Sequence, residues 1–260
     1  MSRARVTFLG TGTSHGVPMI GCACPTCRSD DPRDQRWRPS IRVELGAGGS
    51  ILSVLVDTSP DLRAQALRFG VDRVDAVVFT HPHADHILGL DEMRRYNDLQ
   101  RASIPCYGDA RTLEEVKRTF QYAFGPLRDG GGVPRLDLVT VDGPFSIGGC
   151  EFVPVPILHG PEIILGFRIG DFAYLTDCSG IPDSSWPLLE GVRVLAIDAL
   201  RERPHPTHFS LAEALEAARR IGAARTCLTH ICHDLAHAAT QARLPSGVEV
   251  AFDGLALDIG

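Results

Sequence analysis

The sequence predicts a layered α/β fold (α+β or mixed α/β), with two sheets and helices outside them. Two observations point there. Short apolar runs rich in β-branched residues recur along the chain, and stretches with helix-start signals lie between them. The strand-like runs are residues 6–9, 51–56, 74–79, 152–157, 172–175, 192–197 and 248–252. Ser59-Pro60 predicts a helix start, with serine as cap and proline at the first helical position, and Gly70 closes that helix. Thr112-Leu113-Glu114-Glu115 reads as a capping box, followed by Val116 and Phe120 on one face. Ser210-Leu211-Ala212-Glu213 reads as another. It leads into Leu211, Leu215, Ala218 and Ile221 at helical spacing, then Gly222. The glycine- and proline-rich stretch 125–134 is a loop, either a lid over a site or a surface connection.

A chain of 260 residues fits one domain spanning 1–260. Its hydrophobic fraction of 44% and charged fraction of 22% are ordinary for a globular protein. The formal charge, 26 minus 32 or -6, gives no attraction to a long nucleic acid. A small phosphate ester stays compatible, because bound metal supplies local positive charge. No apolar run is long enough to predict a membrane span, and the first residues carry no secretory pattern. A cytoplasmic location is the expectation. The eight cysteines then act as metal ligands or buried packing residues rather than disulfides. Cys106, Cys150, Cys178 and Cys227 lie in or beside apolar stretches and are expected to be buried.

The run His81-Pro82-His83-Ala84-Asp85-His86 has the form H-x-H-x-D-H and follows an apolar stretch directly. Four metal-binding side chains in six residues suit zinc, manganese or iron. His159, Asp177 and His230 each end a further apolar run, which would let all seven converge at one edge of a sheet. A second cluster, Cys22-Ala23-Cys24-Pro25-Thr26-Cys27, needs a fourth partner for tetrahedral zinc; Cys232, His233 and His237 are the candidates. Gly10-Thr11-Gly12 is not followed by the G-x-x-x-x-G-K pattern of a phosphate cradle.

With these motifs the chain resembles the metallo-β-lactamase superfamily, and within it the PhnP-type phosphodiesterases. The resemblance rests on G-T-G, then G-V-P, then G-C-x-C-x-x-C near the start, the His/Asp box, and a histidine three residues after His230. It implies an αββα sandwich. It implies two divalent ions, Mn2+ or Zn2+: His81, His83 and His159 on the first, Asp85, His86 and His230 on the second, and Asp177 bridging. It also implies one structural Zn2+ on Cys22, Cys24, Cys27 and His233. The implied activity is hydrolysis of a small phosphodiester, such as the cyclic ester 5-phosphoribosyl 1,2-cyclic phosphate, by a metal-bridging hydroxide. Asp85 and Asp177 then count as catalytic with His208, which would protonate the leaving oxygen. His15, on the glycine-rich loop, could approach substrate but stands outside this set. Arg94, Arg95 and Arg168 are candidates for gripping phosphate. Relatives suggest a homodimer, with no long nucleic acid and no membrane as partner. A tRNA 3′-end nuclease, a lactonase or thioester hydrolase, and a non-hydrolytic binder like the pyrroloquinoline quinone biosynthesis protein B share the fold. The intact His/Asp set argues against the last.

Overall fold

The computed structural model describes residues 4–47, 49–125 and 132–260. The middle of the 125–134 loop lies outside them. Among the described residues, fourteen strands form two seven-stranded sheets. The first contains β1 (Ala4–Gly10), β2 (Ser40–Ala47), β3 (Ser50–Val56), β4 (Ala76–Val78), β5 (Ile104–Gly108) and β6 (Leu136–Thr140). The second contains β7 (Phe145–Ile147), β8 (Cys150–His159), β9 (Glu162–Ile169), β10 (Phe172–Leu175), β11 (Val194–Asp198), β12 (Arg225–Thr229) and β13 (Val248–Val250). The last strand, β14 (Ala256–Ile259), returns to the first sheet beside β1.

Both sheets are half antiparallel and half parallel. Strands β1 to β3 pair antiparallel, then β4, β5 and β6 add in parallel; strands β7 to β10 pair antiparallel, then β11, β12 and β13 add in parallel. The strands in the middle are covered on both faces, so they read as unbroken apolar runs rather than alternating ones. Val54, Val56, Ala76 and Val78 point into the layer between the sheets, where they meet Phe152, Phe167 and Tyr174. The intervening Leu55 and Val77 point outward, onto helices α1 (Leu62–Phe69), α3 (Met93–Gln100) and α4 (Ala110–Thr119). Leu195 and Ile197 do the same under α5 (Leu211–Ile221). The layering is αββα, as expected.

Two helix starts differ from expectation. Helix α1 begins at Leu62, because Ser59 Oγ instead accepts from Asp61 N at 3.2 Å in a turn, and Asp61 has its carboxylate taken by Arg38. Its end is as expected, with Gly70 in the left-handed region. Helix α4 is capped by Asp109, whose Oδ1 accepts from Thr112 N at 2.7 Å, so Thr112 lies inside the helix. The Ser210 box is present: Ser210 Oγ accepts from Glu213 N, and Glu213 Oε2 accepts from Ser210 N at 2.8 Å. Cys106, Cys178 and Cys227 are buried, but Cys150 is only partly so, since it opens β8 at a hairpin edge. Gly10 and Gly12 serve close packing. A Cβ on Gly10 would lie 2.0 Å from Arg38 O, and one on Gly12 would lie 2.8 Å from Arg36 O.

Candidate metal centre

The site forms where parallel strands of both sheets end, the usual place for chemistry in such sheets. β4 runs into the His81–His86 segment, whose last three residues open the single-turn helix α2 (Ala84–Ile87). Asp177 follows β10, Asp198 ends β11, and His230 follows β12. Asp57, Asp177 and His230 take left-handed backbone at φ 65, 57 and 58°, which ordinary residues avoid unless their surroundings enforce it.

The seven side chains expected to converge do so. Ligand atoms of His81, His83 and His159 lie within 4.8 Å of one another, as do those of Asp85, His86, Asp177 and His230. Asp177 spans the two groups. Its Oδ1 is 3.2 Å from His230 Nε2 and 3.9 Å from His81 Nε2, and its Oδ2 is 3.2 Å from His86 Nε2. His83 alone is exposed, so the cluster meets solvent on that side.

Ring orientation is fixed from behind. His159 Nδ1 sits 2.9 Å from Asp177 O and 2.8 Å from Thr207 O; carbonyls only accept, so Nδ1 carries the proton and Nε2 keeps its lone pair. His86 Nδ1 donates to Asp57 Oδ2 at 2.7 Å; burial opposes charge on this ring, but Asp177, Asp85 and Asp57 hold it well above its ordinary value, so a bound cation would displace the Nε2 proton. Thr80 Oγ1 lies 3.0 Å from His81 Nδ1 and donates to Asp57 Oδ2 at 2.8 Å. The inward Nε2 atoms of His81, His86 and His230 are buried without a hydrogen-bond partner. Buried polar atoms are rarely left so, and ring nitrogens aimed at shared carboxylates fit a divalent cation. Burial works to raise the Asp177 carboxyl, but His230, His86 and His81 together hold it well below its ordinary value. The same contest leaves Asp85 ionised.

His208 stands at the rim, its ring 4.9 Å from His159 and stacked 4.7 Å from His230. Its Nδ1 is 2.6 Å from Asp198 Oδ2. Burial pushes His208 down to about 3 and Asp198 well above its ordinary value. At this distance the two groups titrate as a coupled pair.

The cysteine cluster assembles as expected. His233 Nδ1 lies 3.2, 3.4 and 3.6 Å from the Sγ atoms of Cys22, Cys24 and Cys27. Backbone N–H groups of Met19, Cys24 and Cys27 point at these sulfurs, led by Cys27 N–H on Cys24, whose thiol falls to about 7. Burial pushes Cys27 up to about 11. Cys232 instead accepts from Asp234 N, and His237 packs its ring on Phe252. Of the arginines considered for phosphate, Arg94 pairs with Asp91, and Arg95 lines a groove between α1 and α3. Arg168 pairs with Val153, six residues and roughly 20 Å along β8 from His159.

The sequence reading missed Asp57 and Asp198. Both carry the signal that marked Asp177, an acid at the end of an apolar run: Val56-Asp57-Thr58 and Ile197-Asp198-Ala199.

A profile described as a β-lactamase superfamily domain matches residues 53–231. The solved structure of a new diphosphatase from the PhnP family superimposes with a TM-score of 0.92 at 44% identity, covering 100% of this chain and 98% of that one. This chain belongs to the PhnP family of the metallo-β-lactamase superfamily. This PhnP-family chain is also 37% identical over 255 residues to an octanoyltransferase of Porphyromonas gingivalis, covering 96% of this chain and 51% of that protein. It therefore spans about half that protein's length. Zn2+-bound PqqB from Methylobacterium extorquens shares the fold, with a TM-score of 0.78 at 19% identity over 98% of this chain and 100% of that one. The fold of this superfamily takes divalent metal, and the two groups of ligand atoms described above fit such ions. None of its described helices is long and apolar enough to cross a membrane.

Proposed function

We propose that the chain hydrolyses a phosphorus–oxygen bond of a small phosphodiester, with two divalent ions in the histidine–carboxylate cluster. The observation that carries this is the joining of that cluster to the Asp198–His208 pair within one rim of strand ends. His81, His83 and His159 would hold one ion, and Asp85, His86 and His230 the other, with Asp177 between them. When bound, the ions acidify water for attack and offset charge growing on the phosphoryl oxygens. Asp57, Thr80 and the Thr207 and Asp177 carbonyls keep the imidazoles aimed inward. His208 faces the substrate with Nε2 and donates the Nε2 proton to the departing oxygen, while the proton held between Asp198 and Nδ1 moves onto Nδ1, leaving a neutral ring and an ionised Asp198. The cysteine cluster would hold a third, structural ion with no open position, tying the N-terminal loop to the segment after His230.

A cyclic phosphodiester such as 5-phosphoribosyl 1,2-cyclic phosphate is the first candidate. A second reading is a diphosphate bond, favoured by the diphosphatase of the same family. The test is turnover of a panel with metals counted on the same sample: this cyclic ester, a 2′,3′-cyclic nucleotide, bis-p-nitrophenyl phosphate, a nucleoside diphosphate ester and a lactone. Turnover of phosphorus substrates with about three metals per chain supports the proposal. Lactone turnover alone refutes it.

A further inference from the structure

Among the described residues, Arg36 is the largest side chain buried outright, at 1% exposure, and it lies in neither metal cluster. A guanidinium taken from water needs several acceptors in return. Its Nη1 donates to Cys232 O at 3.2 Å, and its Nη2 to Leu235 O at 2.9 Å and Asp34 Oδ1 at 3.1 Å. Asp34, the one carboxylate of the three, also accepts from His237 N at 2.7 Å. The two carbonyls belong to the first and last residues of a turn, closed by Leu235 N on Cys232 O at 3.4 Å, and His233 is its second residue. One planar fork thus grips both ends of the turn that carries the histidine of the cysteine cluster. A lysine, with its single point charge, cannot match that geometry.

The backbone of the same residue closes the other half of the cluster. Arg36 N donates to Val17 O at 2.7 Å, and Val17 N donates to Arg36 O at 2.9 Å. The loop 17–36, which contains Cys22, Cys24 and Cys27, is therefore shut at its base. Just before that base the chain runs against the segment after β12. Ile231 N donates to Thr11 O at 2.9 Å, and Thr13 N donates to Ile231 O at 3.3 Å. Ile231 stands between Cys232 and His230 of the histidine–carboxylate cluster, so a shift of the Cys232 turn reaches His230 through one intervening residue.

We infer that Arg36 is a positioning residue that couples the two clusters. It holds the His233 turn to the cysteine loop, so an ion in the cysteine cluster also fixes the backbone that aims His230. The ion beside His230 then binds more tightly when the cysteine cluster is full. The inference rests on the metal assignments proposed above and not on which phosphorus substrate is cut.

The experiment is a Co2+ titration of metal-free wild type, Arg36→Lys, Cys27→Ser and the double variant under reducing conditions. Thiolate-to-cobalt charge-transfer absorption reports the cysteine cluster, and the remaining ligand-field absorption reports the histidine–carboxylate ions. Arg36→Lys keeps a charge beside Asp34 but loses the fork. It should weaken Co2+ at the cysteine cluster about ten- to hundredfold and weaken the more loosely held histidine–carboxylate ion as well. Cys27→Ser should weaken that second ion with Arg36 still in place. In the Cys27→Ser background, Arg36→Lys should add less than about twofold at the second ion, because both changes act through one connection. A general loss of stability would instead add in full. Asp34→Asn keeps an oxygen for His237 N while loosening the guanidinium; it should move both signals the same way and serves if Arg36→Lys does not fold. Wild-type affinity at either signal in Arg36→Lys, or full addition in the double variant, overturns the inference. Wild type with no thiolate–cobalt band refutes the metal assignment itself, and the coupling with it.

Discussion

Replacing Asp57 with asparagine changes almost no volume but reverses one hydrogen bond behind the cluster. Oδ1 of Asp57 accepts from Thr80 N at 2.9 Å, and an asparagine oxygen can keep that bond. Oδ2 accepts from His86 Nδ1 at 2.7 Å and Thr80 Oγ1 at 2.8 Å; an amide NH2 there would face two donors. His86 relieves the conflict by moving its proton to Nε2, the atom that needs a lone pair to bind metal. Backbone strain does not confuse the result, because asparagine tolerates φ 65° better than most residues. Losing such a support costs about ten- to hundredfold in metal affinity, or about 1.4–2.7 kcal/mol. The assay is chelator competition for the more weakly held ion, with melting temperature and turnover on the same samples. A folded Asp57→Asn protein whose metal affinity stays within about twofold of wild type would refute the reasoning, since the tautomer argument forbids so small a change.

Three further outcomes are expected. His208→Ala should slow esters with poor leaving groups by about 10²–10⁴ and activated nitrophenyl esters far less; equal slowing of both would remove the acid role. Cys27→Ser should release one metal per chain and lower the melting temperature, and an unchanged metal count would show that the cluster does not hold one. Asp253 accepts from Thr11 N, Thr11 Oγ1 and Trp37 N, yet burial outweighs these donors and raises its carboxyl to about 7. Between the ordinary value of 3.8 and about 7 the folded state binds more proton than the unfolded one. This contribution to stability is therefore full below the lower value and lost as pH rises through the upper one. Melting temperatures at pH 5 and 8 should show the decline, and Asp253→Asn should flatten it; an unaltered slope would exclude Asp253 as its source.

The histidine–carboxylate cluster was legible because its chemistry is concentrated: one run supplies four groups, and the others end apolar runs. The strands covered on both faces were legible for a similar reason, since 74–79 and 192–197 have few polar interruptions. Strand β2 was not, because Ser40, Arg42 and Glu44 alternate with apolar residues and the run looks like surface. β9 hid behind its opening glutamate and internal glycine. The α4 cap was misplaced by three residues because Asp109 and Thr112 both precede plausible helical turns, and only the fold decides which side chain meets a free N–H. Asp57 and Asp198 act through the histidines they hold, His86 and His208, and those contacts are made by the fold rather than by any spacing along the chain.

The left-handed residues at the strand ends set a condition on how long the protein survives. Asp57, Asp177 and His230 each carry strain on the order of 1 kcal/mol, and the inward imidazole nitrogens add buried atoms without partners. Without metal the chain bears all of this against a folding free energy of only about 5–15 kcal/mol. A ligand present at a hundred times its dissociation constant returns about 2.7 kcal/mol. In a cell starved of divalent ions, proteases would then clear the metal-free protein faster than the loaded one. Its abundance would follow metal supply with no regulator beyond the geometry of three strand ends.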